Sequence, residues 1–210
     1  MNRVLTGTIC LLCGFLLGTV LTYSVLQHVG KDRASTTVIE TDETASDQIA
    51  LLTLSAEVVQ DLKAKDFDAL SALIHPDYNL LFSPYATINL STSRCLSAKE
   101  LQAFGEDQTT YVWGTYSGTN ELINMTTMDY YDRFIFDADY TKASVIAANT
   151  ITATGNALEN VNEVFPGAQF VEYHFPSGGE GTDWRTLRLV FEQYEGQWVL
   201  TAIVHSEWTA

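Results

Sequence analysis

Residues 169–208 read QFVEYHFPSGGEGTDWRTLRLVFEQYEGQWVLTAIVHSEW. Three runs rich in β-branched and aromatic residues stand between two sets of turn residues, the pattern of antiparallel strands joined by short connections. Successive side chains of a strand point to opposite sides. In QFVEYHF, Phe170, Glu172 and His174 therefore share one face, and Val171, Tyr173 and Phe175 the other. In TLRLVFE, Leu187, Leu189 and Phe191 oppose Arg188, Val190 and Glu192. In the last run, Ile203, His205 and Glu207 oppose Ala202, Val204, Ser206 and Trp208. The loop 176–183 and the turn Tyr194-Glu195-Gly196 connect the runs. With the three strands side by side, Glu172, His174, Arg188 and His205 are expected to converge on one face.

Upstream, the periodicity changes from two to that of a helix. Asp47 is placed to cap a helix through IALLTLSAEVVQDLKAK, with Leu51, Val58 and Leu62 at helical spacing. A second short helix, DFDALSALI, stops at His75-Pro76, because proline restricts the residue before it. Ser97-Ala98-Lys99-Glu100 is a capping box opening a helix through Phe104. Thr126 or Thr127 opens another over MDYYDRFIFDADY. Further strands are read over 110–116 and 145–154. Early helices followed by long hairpins give an α+β class, a curved antiparallel sheet with the N-terminal helices on one face.

Particular residues resemble the NTF2-like superfamily of cone-shaped α+β domains. They are AKDFDALSALIHPD, the Phe82-Ser83-Pro84-Tyr85 that follows, and the terminal WVLTAIVHSEW, within a stretch from 48 to 210. More narrowly, WGTYSG, YYDRF, FVEYHFP, DWRTLRLVFE and HSEWT resemble a group of uncharacterised exported bacterial proteins anchored by an N-terminal segment or lipid. The resemblance implies a cone whose inner sheet face lines a pocket, and a place in the cell envelope. It supplies no activity, and no catalytic role is carried over from enzymes of that superfamily.

Ahead of the domain, residues 4–26 read VLTGTICLLCGFLLGTVLTYSVL without a charge. At about 1.5 Å per residue such a helix crosses a hydrocarbon core of about 30 Å. Three readings compete. An uncleaved signal-anchor over 1–30 fits the length, a cleaved signal peptide would use Thr22-Tyr23-Ser24, and lipid attachment would use Cys10 or Cys13 behind bulky neighbours. Residues 31–47, rich in Ser, Thr, Asp and Glu, read as a flexible acidic tether to a domain over 48–210. The expected location is the cell membrane, single-pass with the C-terminal domain outside the cytoplasm, or secretion after cleavage.

The chain carries a net charge of −15, and from Ala34 onward 25 Asp/Glu stand against 8 Lys/Arg. Such a surface repels nucleic-acid backbones, whose affinity comes from Lys and Arg neutralising phosphates. Cys95 is alone in the domain, so no internal disulfide frames it, and its reading is incidental. No GxGxxG, P-loop, CxxC, HExxH or Gly-x-Ser-x-Gly is present, which argues against nucleotide enzymes and hydrolases of those classes.

The pocket candidates are Glu172, His174, Arg188, His205, His75 and Tyr85. A histidine beside a carboxylate and an arginine can shuttle a proton. Glu172-x-His174 and His205-x-Glu207 each offer two metal ligands on one side of a strand. The same residues also make ordinary structural ion pairs, and neither metal nor cofactor is expected. His75 suits a helix end, Asp132-Arg133 a helix ion pair, and the abundant tyrosines and tryptophans suit core, rim or a stacked sugar or peptide. The function expected is binding of a small ligand or protein partner by a membrane-tethered domain. The alternatives are a small-molecule enzyme using the His/Glu/Arg set for proton transfer, or an accessory module of a membrane assembly.

Overall fold

Helix α1 covers 45–64 and buries Leu51, Val58, Val59 and Leu62 along one stripe. The structure is a computed structural model and describes residues 45–119, 121–179 and 181–208. The signal-anchor read over 1–30, and the tether up to 44, lie outside those residues. Among the described residues no helix is long and apolar enough to cross a membrane. Residues 45 and 46 are already helical, so Asp47 lies inside α1 and does not cap it. The helix ends where Lys65 turns to a φ of 56° and its N–H bonds to Leu62 O at 3.0 Å. Helix α2, Phe67–Leu73, follows at once, capped by the Asp66 carboxylate on the Ala69 N–H at 3.0 Å.

The main sheet has six strands. They are β1 (Leu80–Ser83), β2 (Arg94–Leu96), β5 (Val145–Ala148), β6 (Gln169–Phe175), β7 (Arg185–Tyr194) and β8 (Gln197–Glu207). Their order is β2-β1-β8-β7-β6-β5. A separate hairpin joins β3 (Tyr111–Thr115) to β4 (Leu122–Met125). The three strands read from the C-terminal stretch are neighbours, and Glu195 and Gly196 close the last hairpin with φ of 50° and 79°.

Two expectations about the sheet are corrected. It is mixed, because β1 runs parallel to β8, with Phe82 beside Ile203. All four β1 residues are buried, so the strand has no alternation by which to be read. The strand expected over 145–154 ends at Ala148. Asn149 turns out at φ 52°, its N–H donating to Phe170 O at 2.8 Å and its side-chain oxygen accepting from Phe170 N–H at 2.9 Å.

The first face of the sheet packs Tyr173, Leu187, Leu189, Phe191 and Ile203 against the helices. Helix α3 (Ala98–Gln102) carries the full capping box from Ser97 and Glu100. Helix α4 (Thr127–Tyr130) is capped by Thr126 and runs into a π turn over Tyr131–Ile135. The space that a cone would leave open is filled: Trp113 stacks on Tyr130 at 4.0 Å, with Phe82, Phe104 and Phe134 around them. The inner face therefore lines a packed aromatic core where the resemblance implied a pocket. The second face is also covered. Leu81, Phe170, Val190, Ala202 and Val204 lie beneath Ile88, Ile151, Val161 and Phe165.

Candidate functional site

Strand register divides the expected cluster in two. Glu172 sits directly opposite Arg188, while His205 sits opposite Leu187, one residue out of step with Arg188. In a pleated sheet a step of one residue is a change of face. Glu172, His174 and Arg188 therefore lie on the second face and His205 on the first. The convergence of all four is corrected on that ground.

On the second face Arg188 donates to Glu172 Oε1 from Nε at 2.8 Å and from Nη2 at 2.5 Å, and its Nη1 lies 2.8 Å from Glu159 Oε2. Glu172 Oε2 accepts from both the N–H and the hydroxyl of Thr152 at 2.7 Å. Glu172 and Arg188 are each 1% exposed, so this is a closed ionic knot with no face offered to a substrate. It ties the segment after β5 down onto the sheet at Thr152 and Glu159. His174 Nδ1 pairs with the Thr186 hydroxyl at 2.9 Å beside Trp184. Burial lowers its pKa, with Glu172 acting the other way, so the ring is neutral at physiological pH.

On the first face a second polar cluster forms where the π turn meets β8. A π turn is one residue wider than an α turn, and here it delivers Arg133 to Glu207 and, just beyond its end, Asp137 to His205. Arg133 grips Glu207 with both terminal nitrogens, at 2.5 and 3.2 Å. Asp137 accepts from the Tyr140 hydroxyl at 2.7 Å and from Arg185 at 3.0 Å. His205 is fully buried, its Nδ1 3.2 Å from Pro84 O and its Nε2 3.5 Å from Asp137 Oδ2. Burial by itself would raise the Asp137 carboxyl, but the His205 ring, the Tyr140 hydroxyl and Arg185 together hold it below its ordinary value.

Beside this cluster lies an open groove of about 340 Å³. The turn after β1 supplies Tyr85 and Thr87, the β3–β4 hairpin supplies Tyr116, Ser117 and Thr119, and the tied segment supplies Asn156. No lining residue is charged, in a chain of net charge −15. The walls are fixed. Thr87 donates to Leu158 O at 2.7 Å, and the Asn160 side chain exchanges two hydrogen bonds with the Ile88 backbone at 2.8 and 2.9 Å. Glu159, between them, is held by Arg188. Gly114, in the groove lining, has a φ of 133°, a conformation that strains any L side chain and so favours glycine. Burial, the largest influence, pushes the Tyr85 hydroxyl upward, which keeps it neutral.

Of the pocket candidates, Tyr85 alone lines this groove. His75 is buried near the turn that begins β8, its Nδ1 accepting from Asp77 N–H at 3.0 Å and its ring against Tyr78 and Tyr194. Arg133 pairs across the fold with Glu207, and Asp132 with Lys65 at 3.6 Å, so neither pairs within its own turn. Cys95 is exposed on β2, and partial burial raises its thiol despite Arg94. Tyr116, read as one of the aromatics that could stack on a sugar or peptide, also lines the groove; sequence reading missed Asp137, Arg185 and Glu159. The first two require the register that sets Arg185 opposite Glu207. Glu159 lies in a loop with no periodicity.

No family model matches the chain, and no curated protein matches it. Among solved structures it is similar to a designed NTF2-type protein, a form of Rd1NTF2 with five substitutions. The identity is 11% and the TM-score 0.30, over 78% of this chain and 99% of that one.

Proposed function

We propose that this protein is a membrane-tethered, non-catalytic binding domain of NTF2-like architecture that takes a small neutral, polyhydroxylated ligand, a sugar in chemical class, in the groove between Tyr85 and Tyr116. The observation that carries the reading is the uncharged lining of that groove within a strongly acidic chain. Hydroxyls and amides each donate and accept, which matches the alternating donors and acceptors of a polyol. The two tyrosines offer apolar faces for sugar C–H groups, with a polar tip on each. The tied walls favour binding too, because a site already in place spares the ligand the cost of ordering loops. The uncharged run over 4–26 supports tethering, with the domain outside the cytoplasm.

The test is an array of neutral, acidic and amino glycans, together with unrelated neutral peptides, probed with the full chain in mild detergent. Selective retention on neutral glycans, reduced at least tenfold by Tyr116→Ala at unchanged melting temperature, is expected. Retention on peptides alone, or equal retention by Tyr116→Ala, contradicts the reading.

A further inference from the structure

The cluster on the first face is separate from the groove's lining, and the ligand reading does not use it. His205 Nε2, Asp137 and Glu207 each present a ligand atom, and the three atoms lie within 4.8 Å of one another. Ligand atoms on one tetrahedral ion stand roughly 3.3 Å apart, given metal–ligand distances of about 2 Å. Closing this set thus needs movements of about an ångström by side chains, not by strands.

The histidine carries a second, independent sign. It is 0% exposed, and its Nε2 makes no hydrogen bond; the Asp137 oxygen at 3.5 Å is too far. Its Nδ1 faces the Pro84 carbonyl, which can only accept, so Nδ1 holds the proton. Nε2, the nitrogen left free for a metal, faces the two carboxylates and has no hydrogen-bond partner. Metal-bound histidines commonly have their other nitrogen fixed by a backbone carbonyl in this way, and ligating carboxylates are themselves hydrogen-bonded. Tyr140 supplies that second bond to Asp137.

Arg133 and Arg185 now neutralise the two carboxylates, and a divalent ion added to them would leave two excess positive charges. Both guanidinium side chains reach water, at 41% and 38% exposure. Each can swing outward on its long stem, so one divalent ion replaces two monovalent groups without a change in local charge. We propose that Asp137, His205 and Glu207 form a site for a first-row divalent metal ion, with Arg133 and Arg185 as displaceable internal counterions. One imidazole nitrogen with two carboxylate oxygens suits zinc, iron(II) or manganese(II).

The proposal is tested with the full chain, carrying no polyhistidine tag and stripped of metal, by calorimetric titration with Zn²⁺ and by the visible absorption of added Co²⁺. One equivalent is expected to bind. Glu207→Gln and Asp137→Asn should each weaken binding at least tenfold, and Tyr140→Phe by about tenfold as an outer partner. Arg133→Gln should tighten it severalfold, because a competitor is gone; surface binding elsewhere would not show this. Glu207→Gln changes the most exposed of the three ligands, at 21%, and keeps the test open if Asp137→Asn fails to fold. Absence of binding at millimolar metal overturns the proposal. So does binding unaffected by Glu207→Gln, or binding weakened by Arg133→Gln.

Discussion

Arg188 is held between two carboxylates, Glu172 across the strand pair and Glu159 from the loop above it. With Arg188 and Glu172 each 1% exposed, removing one leaves a buried uncompensated charge. Arg188→Ala should cost about 3–5 kcal/mol of stability. Arg188→Met combined with Glu172→Met and Glu159→Gln should cost far less, since no charge is then left unpaired. Chemical denaturation of the two variants checks this, and equal losses would argue against a closed knot. Asp137 gives a second prediction at this scale. Its folded pKa lies below its unfolded value, so its contribution is complete above the unfolded pKa and is lost as pH falls through the folded one. Stability should therefore decline with acidification below about pH 4, and Asp137→Asn should flatten that decline. Melting temperatures across the acid range, compared between the two proteins, measure it.

Among the elements, those with strong local chemistry were read from sequence. The Ser97 capping box and the Glu195-Gly196 turn stand where the residues put them. Elements decided by tertiary context were not. Buried β1 lacks alternation, β5 stops where Asn149 replaces a strand neighbour by its own side chain, and the faces of β7 and β8 were combined with a one-residue error in register. That last error matters most for function, because it had placed His205 with Arg188 instead of Asp137. The groove depends on elements in the same way. Gly114→Ala must adopt a φ that L-residues rarely tolerate. It should destabilise by about 1–3 kcal/mol and loosen the β3–β4 wall. Ligand affinity should fall more than for an exposed control such as Gly167→Ala, which meets nothing within 4 Å although its φ is also positive. Equal affinity losses in the two variants would detach the groove from this wall.

At the scale of the molecule, a sheet covered on both faces leaves its chemistry at the rim. Aromatic side chains fill the interior, the ionic knot fastens the outer cover, and the groove opens where the β1 turn, the β3–β4 hairpin and the tied segment meet. Overall charge could be counted from sequence, but the charge-free patch within it could not, because it is assembled from three distant loops. Since the groove holds no ion, binding there should be nearly independent of salt, unlike recognition of a charged partner, which is screened over about 8–10 Å near physiological ionic strength. Equilibrium titration at low and high salt gives that comparison directly.

Sugar binding in the groove is measured by NMR shift mapping of the full chain in detergent, titrated with a neutral disaccharide series and with a uronate counterpart. Saturable shifts from the neutral sugars are expected in Tyr85, Thr87, Tyr116–Thr119 and Asn156–Leu158, with the uronate inert. Unmoved groove signals throughout the neutral series, with shifts elsewhere or from the uronate alone, would contradict it.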